Sequence, residues 1–168
     1  GKGTRMKSDR PKVLHKLAER SLLQHVLDTC TLLGAEHVVV VTGHNAESVE
    51  AAARAGNPSL NLAFARQMPQ IGTGHAVQKA VPHLPDDGIT LVLNGDVPLI
   101  RVQTAQALVA ACAGERLALL TVDLDDPSGY GRVIRDGDNI TAIVEHKDAT
   151  PAQRAIRKDG VVQGGCGE

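Results

Sequence analysis

The first twelve residues combine glycines with basic side chains in a way typical of a phosphate-binding loop. Gly1 and Gly3 flank a lysine, and glycines let a short segment turn so that its backbone N–H groups converge on one point. Arg5 and Lys12 add positive charge to the same segment, and both kinds of side chain bind phosphate oxygens. The segment matches neither the P-loop nor the dinucleotide fingerprint. It predicts an anion site of another kind, and a flexible, solvated basic terminus is the alternative.

A single carboxylate follows the most apolar predicted strand. Residues 89–94 read Ile-Thr-Leu-Val-Leu-Asn and lead through Gly95 to Asp96. In open α/β sheets, ligands bind at the carboxyl ends of the strands. Mg²⁺ is usually held by one or two carboxylates together with substrate phosphates. Asp96 is therefore a candidate magnesium ligand, and the alternative is an aspartate that caps the turn before Pro98.

The elements between these two groups start with a helix and a buried strand. Ser21 is the expected N-cap of an amphipathic helix, Gln24 is expected to complete a capping box, and Gly34 is expected to end the helix. Residues 37–42 contain four consecutive valines. Such a run is typical of a parallel strand that is buried on both faces.

Helix and strand patterns then alternate along most of the chain, which predicts an α/β fold with a doubly wound, mostly parallel sheet. The helices are expected over residues 46–55, 73–80, 104–113 and 150–157, and the strands over residues 60–65, 89–94 and 117–124. Two further strands, residues 132–135 and 140–145, flank Asp136-Gly137-Asp138 and predict a small β-hairpin added to the ligand side of the sheet.

Composition restricts the kind of partner. Among 168 residues, 42% are apolar, but there is one Phe, one Tyr and no Trp, so the core must be aliphatic. Phe64 and Tyr130 are interpreted as packing residues. A net charge of −1 gives no broad basic surface for nucleic acid or membranes. No apolar run approaches the ~20 residues of a membrane span, and the three scattered cysteines predict a reducing, cytoplasmic location.

Four segments resemble the motifs of the sugar-1-phosphate nucleotidyltransferases. They are Gly1-x-Gly3-Thr4-Arg5-Met6 followed by Pro11-Lys12, Gly72-Thr73-Gly74-His75-Ala76, Gly95-Asp96-Val97-Pro98-Leu99 and Val144-Glu145-His146-Lys147-Asp148-Ala149. In this order and at these separations, the chain from Gly1 to about Arg157 is similar to the uridylyltransferase domain of the GlmU family. That family is bifunctional, with N-acetylglucosamine-1-phosphate uridylyltransferase and glucosamine-1-phosphate N-acetyltransferase activities.

The resemblance implies a Rossmann-like nucleotidyltransferase fold and a Mg²⁺-dependent reaction. UMP would pass from UTP to N-acetylglucosamine 1-phosphate, giving UDP-N-acetylglucosamine and pyrophosphate for bacterial envelope polymers. Full-length members of the family are homotrimers. Two alternatives remain open, namely another sugar-1-phosphate nucleotidyltransferase and an inactive nucleotide-binding fragment.

The resemblance also implies a role for each motif residue. Arg5 and Lys12 would be catalytic through contacts with the pyrophosphate and the α-phosphate, and Asp96 would hold Mg²⁺. The expected substrate contacts are Gly1, Gly3 and Thr4 with the triphosphate, Gln67, Gly72 and Thr73 with uracil, Asn94 and Gly95 with the ribose and sugar, and Gly131 and Glu145 with the acceptor sugar. Many relatives carry Tyr where Asn94 stands. His75 is interpreted as structural, since a phosphate nucleophile needs no proton removed.

Both ends of the sequence depart from the family pattern. The chain opens on the loop itself, so a preceding first strand is expected to be missing. Residues 1–157 are interpreted as a partial uridylyltransferase domain and residues 158–168 as an atypical tail, without the family's Asn-Thr-Gly segment. The family's second metal ligand, an Asn, and its acetyltransferase domain are not found in this sequence. Poor solubility or self-association is the expected consequence of the missing strand.

Overall fold

The computed structural model describes residues 10–114, 116–137 and 139–156, and the backbone of a last strand at Gly160–Gly167. The predicted phosphate-binding residues Gly1, Gly3, Thr4 and Arg5 lie outside the described residues, and of the predicted tail, residues 158–168, the structure describes the backbone of Gly160–Gly167. The chain divides into two compact units. The first contains the described residues up to Gly88 together with Asn94–Ala107, and the second contains Ile89–Leu93 and the described residues from Leu108 onward.

Helices and strands alternate through most of the chain. The helices are α1 (Leu22–Leu33), α2 (Ala46–Gly56), α3 (Thr73–Ala80), α4 (Val102–Cys112) and α5 (Pro151–Arg154), with single 3₁₀ turns at Lys12–Leu14 and Val81–His83. The strands are β1 (Lys16–Leu17), β2 (Arg20–Ser21), β3 (Val38–Thr42), β4 (Leu62–Arg66), β5 (Thr90–Leu91), β6 (Ala118–Val122), β7 (Arg132–Asp136), β8 (Asn139–Val144) and β9 (Gly160–Gly167).

The first unit is built around the valine strand that the sequence predicts. β3 and β4 pair in parallel, in register from Val38 opposite Leu62 to Thr42 opposite Arg66. Leu23 and Leu27 of α1 and Val49 of α2 belong to the buried cluster that includes Val40 of β3. The mixed α/β class and the parallel pairing of the valine strand agree with the sequence prediction.

The second unit carries an antiparallel sheet in the order β5-β9-β7-β8, with β6 also paired with β9. β7 and β8 form the hairpin predicted around Gly137. Leu108 and Cys112 of α4 are buried against a face that includes Leu91 and Leu120. The strand predicted over residues 89–94 is assigned only at Thr90–Leu91, where it pairs with β9. Among the described strands, parallel pairing is therefore confined to β3 and β4.

The predicted helix caps are found with one correction. The Ser21 hydroxyl accepts a hydrogen bond from the Gln24 amide, and Gly34 ends α1 in the left-handed conformation. The predicted capping box at α1 is wrong, because the Gln24 side chain is used elsewhere. Its Nε2 donates to Asn57 Oδ1 at 2.8 Å, and Asn57 Nδ2 donates back to Gln24 Oε1 at 3.1 Å. This reciprocal amide pair joins α1 to the end of α2.

The two aromatic residues differ in their environment. Phe64 packs against the first core, and the Arg54 guanidinium lies 4.5 Å from its ring centre. Tyr130 is 47% exposed, so the interpretation of this residue as a packing residue is wrong. It lies in the loop before β7, where solvent reaches its side chain.

Candidate functional site

Lys12 and Asp96 lie in contact, although 84 residues separate them in the sequence. Lys12 Nζ donates to Asp96 Oδ2 at 2.8 Å. The side chains are 47% and 35% exposed, respectively, so solvent and a ligand can reach both. The structure thus brings the basic side chain of the predicted phosphate site to the carboxylate predicted to bind a metal.

Local structure explains how the two residues meet. Pro11 precedes the 3₁₀ turn that carries Lys12, and Leu14 at the end of that turn is buried in the first core. On the other side, the Val97 amide donates to the Asn94 carbonyl at 3.1 Å, which turns the chain at Asp96. A Cβ at Gly95 would lie 3.4 Å from Val13, so this turn packs directly against the 3₁₀ turn.

A second group of predicted site residues lies where α3 begins. Gln67 is buried, and its Nε2 donates to the Gly72 carbonyl at 2.8 Å and to His75 Nδ1 at 3.2 Å. Because an amide nitrogen only donates, His75 Nδ1 is the acceptor. Gly72 has φ 116°, a left-handed value that favours glycine, and it precedes Thr73, the first residue of α3. His75 therefore holds the Gln67 side chain, which agrees with its structural interpretation.

The carboxyl ends of β3 and β4 are joined by an acidic residue from α2. Glu50 Oε1 accepts hydrogen bonds from the Thr42 hydroxyl at 3.0 Å and from Arg66 Nε at 3.0 Å, while Arg66 Nη2 donates to Oε2 at 3.3 Å. The Arg66 hydrogen bond, with a smaller effect from Thr42, lowers the pKa of Glu50 below its ordinary value. Glu50 therefore stays ionised and fixes the backbone that leads into Gln67.

Gly131 and Glu145, the predicted acceptor-sugar residues, lie in the second unit. Gly131 is buried immediately before β7, whereas Glu145 is exposed immediately after β8. The Asp148 amide donates to the Glu145 carbonyl at 3.0 Å and closes a tight turn. The hairpin pairs Arg132 with Val144, so Gly131 and Glu145 adjoin two residues that are opposite each other in its register.

Arg132 is a residue that the sequence analysis did not select. Only 2% of it is exposed, and its guanidinium donates to backbone carbonyls of the loop that contains Gly131. The hydrogen-bond partners of this buried arginine cannot be read from sequence, because the acceptors are main-chain groups that every residue carries. Its position directly after Gly131 was the only available signal.

The residues present are compatible with a magnesium ion that is held mainly by substrate. Among the described residues, no group of three or more His, Cys, Asp or Glu side chains could hold a metal ion by itself. Asp96 supplies one exposed carboxylate beside a lysine. This matches the usual binding of Mg²⁺ by few carboxylates and by the phosphates of a nucleotide. Within the part of the chain that the structure describes, no helix is long and apolar enough to cross a membrane.

Comparison with known proteins gives matches over nearly the whole chain. Residues 1–158 match the family described as the MobA-like NTP transferase domain. The bifunctional protein GlmU of Methylibium petroleiphilum is 64% identical over 162 residues, and that of Polaromonas naphthalenivorans is 60% identical over 165 residues. Each alignment covers 94% of this chain and 35% of the relative. The chain thus spans about a third of the length of these curated relatives.

Solved structures show the same fold at much lower sequence identity. A UDP-glucose pyrophosphorylase crystallised with UDP-glucose superposes with a TM-score of 0.71 at 19% identity, over 99% of this chain and 72% of that one. HddC from Yersinia pseudotuberculosis gives a TM-score of 0.70 at 19% identity, over 95% and 68% of the two chains. These similarities confirm the predicted Rossmann-like α/β fold class.

Proposed function

Because this chain belongs to the family of MobA-like NTP transferase domains, we propose that it transfers UMP from UTP to N-acetylglucosamine 1-phosphate. The products would be UDP-N-acetylglucosamine and pyrophosphate. The contact between Lys12 and Asp96 carries the proposal, since it unites a phosphate-binding lysine with a carboxylate suited to magnesium. Identity of 60–64% to proteins named GlmU supports this choice of nucleotide and acceptor.

The reaction needs little covalent chemistry from the protein. An oxygen of the sugar phosphate attacks the α-phosphorus of UTP, a new P–O bond forms, and the bond to pyrophosphate breaks. Catalysis then consists mostly of positioning and of neutralising phosphate charge. Lys12 would contact the α-phosphate, while Gly1, Gly3, Thr4 and Arg5 would bind the rest of the triphosphate. Asp96 would hold Mg²⁺, which supplies further charge neutralisation when bound.

The ion pair does not prevent this assignment. Exposed pairs of this kind contribute at most about 1 kcal/mol, and both partners are partly exposed. A triphosphate with its metal offers each side chain a more highly charged partner. Substrate can therefore replace the pair, with Lys12 moving to phosphate and Asp96 to the cation.

The remaining predicted residues would select the two substrates. Gln67, Gly72 and Thr73 would contact uracil, and the hydrogen bonds from Gln67 to Gly72 and His75 fix the shape of that segment before a nucleotide arrives. Asn94 and Gly95 would contact the ribose and sugar, and Gly131 and Glu145 the acceptor sugar. We further propose that the chain acts in the cytoplasm and that its full-length relatives are homotrimers.

A pyrophosphate-release assay tests the function. We expect Mg²⁺-dependent release with UTP and N-acetylglucosamine 1-phosphate, and much less with glucose 1-phosphate. Faster release with glucose 1-phosphate, or with another nucleotide, would favour a different sugar-1-phosphate nucleotidyltransferase. UTP binding without release under any of these conditions would identify an inactive nucleotide-binding fragment.

Substitutions at the ion pair test the proposed roles. Asp96→Ala should abolish Mg²⁺-dependent release, and Lys12→Ala should lower kcat by roughly 100-fold or more, as loss of one charge-stabilising group commonly does. Asp86→Ala is a matched control, because Asp86 is an exposed aspartate of the same unit. Retained turnover in Asp96→Ala, with the fold intact by circular dichroism, would remove Asp96 from the metal role.

A further inference from the structure

The carbonyl groups around Gly131 converge on one buried guanidinium. Arg132 Nη1 donates to the carbonyls of Pro127 at 2.9 Å, Tyr130 at 2.5 Å and Gly131 at 3.4 Å. The Tyr130 amide also donates to the Pro127 carbonyl at 3.1 Å. One side chain thus fixes the whole loop from Pro127 to Gly131.

The same guanidinium reaches a second arginine. Arg132 Nη2 donates to the Arg154 carbonyl at 3.3 Å, at the end of α5. Arg154 in turn donates from Nε to the His146 carbonyl at 3.1 Å and from Nη2 to the Lys147 carbonyl at 3.5 Å. Those two carbonyls belong to the turn that directly follows Glu145. A continuous set of hydrogen bonds therefore runs from the Gly131 loop to the Glu145 turn.

This arrangement is poorly explained as a device for stability alone. Arg132 Nε is buried and has no hydrogen-bond partner among the described residues, and a buried unpaired donor is unfavourable. The hydrogen bonds of this buried guanidinium go to main-chain carbonyls, and fixed geometry is a documented use of buried polar and ionic groups. The guanidinium of Arg132 instead restrains the backbone around Gly131, and that of Arg154 restrains the turn after Glu145.

We propose that Arg132 and Arg154 are positioning residues for the acceptor, and that together they set the spacing of Gly131 and Glu145 against a sugar 1-phosphate. This inference rests on the proposed function, because it is that function which assigns Gly131 and Glu145 to the acceptor. The two arginines bond only to backbone carbonyls in the described contacts. Because these carbonyls include those of the Gly131 loop and of the turn after Glu145, the expected effect is on acceptor binding rather than on the nucleotide.

The kinetic test compares Arg132→Lys and Arg154→Gln with the parent chain and with the control Arg116→Gln, an exposed arginine of the same unit. Lysine keeps the charge of Arg132 but lacks its fork of donors. Both variants should raise KM for N-acetylglucosamine 1-phosphate roughly tenfold, as expected when binding groups are misplaced. KM for UTP should stay within about twofold of the parent value, since the nucleotide contacts are untouched. Equal rises for both substrates, or no rise for the acceptor, would overturn the proposal.

Amide hydrogen exchange gives a readout that does not need turnover. Arg132→Lys should speed exchange at the amides of Tyr130 and Asp148, and Arg154→Gln should speed exchange at Asp148. If the parent chain releases no pyrophosphate, the proposed function fails, and exchange alone then decides whether the arginines hold both segments. Unchanged exchange at Asp148 in both variants would refute the link. Arg154 is exposed, so Arg154→Gln serves as the test should Arg132→Lys fail to fold.

Discussion

At the candidate site, side chains are held in place by their neighbours before any ligand binds. Gln67 is fixed by Gly72 and His75, and the backbone before Gln67 is fixed by the contact between Arg66 and Glu50. Preorganisation of this kind lowers the entropy that a ligand must remove on binding. Lys12 and Asp96 contrast with these residues, since they hold each other and, under the proposed function, would have to separate when substrate binds.

The lowered pKa of Glu50 predicts a pH-dependent stability. Ionised Glu50 is favoured in the folded chain, so its contribution is complete above the ordinary value of 4.5 and is lost as the pH falls through the lowered folded pKa. Glu50→Gln should lower Tm by about 2 °C at neutral pH. The difference from the parent should shrink steadily below about pH 4.5.

Thermal unfolding followed by circular dichroism from neutral pH down to that range checks the prediction. Glu36→Gln is the control, because Glu36 is an exposed glutamate of the same unit. A Glu50→Gln difference that stays constant across this range would show that ionisation of Glu50 does not stabilise the fold.

At the scale of elements, α1 and α2 are joined by the amide pair of Gln24 and Asn57. A Cβ at Gly56 would lie 2.1 Å from Gln24 Oε1, so Gly56→Ala must displace that side chain. Alanine is otherwise the better helix former by about 1 kcal/mol. We expect Gly56→Ala to destabilise the parent chain but to be neutral or stabilising in a Gln24→Ala background.

A double-mutant cycle measured by urea unfolding checks this prediction. The coupling between the two positions should be about 1 kcal/mol or more, as is usual for residues in contact. Additive effects of the two substitutions would show that the Gln24 side chain moves away from Gly56 at no cost.

Local elements were predictable because their determinants are local. Ser21 and Gly34 mark the two ends of α1, because cap geometry depends on a few neighbouring residues. Four consecutive valines mark β3, because β-branched side chains favour a buried strand. The partner of Gln24 was not predictable in the same way. Its side chain could satisfy either the cap or Asn57, and only tertiary packing decides between hydrogen bonds of similar strength.

The candidate site likewise contains residues that the sequence could select and features that only the folded structure reveals. Motif resemblance selected Lys12 and Asp96, but their contact across 84 residues emerges only when the first core is assembled. Arg132 was missed because its proposed positioning role depends on burial and on carbonyl groups. A glycine or a carboxylate in a motif carries a chemical signal in the sequence, whereas a guanidinium that binds the main chain does not.

At the scale of the whole molecule, several large apolar side chains of the first unit face solvent. Leu32, Met68 and Ile71 are each 69% exposed, and Leu99 is 74% exposed. Among the described strands, β3 pairs only with β4. Exposed apolar area favours association at roughly 25 cal/mol per Å² buried, and an unpaired strand edge adds hydrogen-bonding groups.

We therefore expect the chain to self-associate as its concentration rises. Sedimentation velocity over a tenfold range of concentration measures this directly, and Leu32→Lys and Ile71→Lys would show which surface is involved. A single monomeric species for the parent at every concentration would contradict the prediction.

Tyr130 is the only tyrosine in a chain without tryptophan, it is half exposed, and its carbonyl accepts a hydrogen bond from Arg132. Ultraviolet emission of the unmodified chain therefore arises from one known place, the loop before β7. No label is needed to watch that loop, and a change of intensity on titration with a sugar phosphate would report events there and nowhere else.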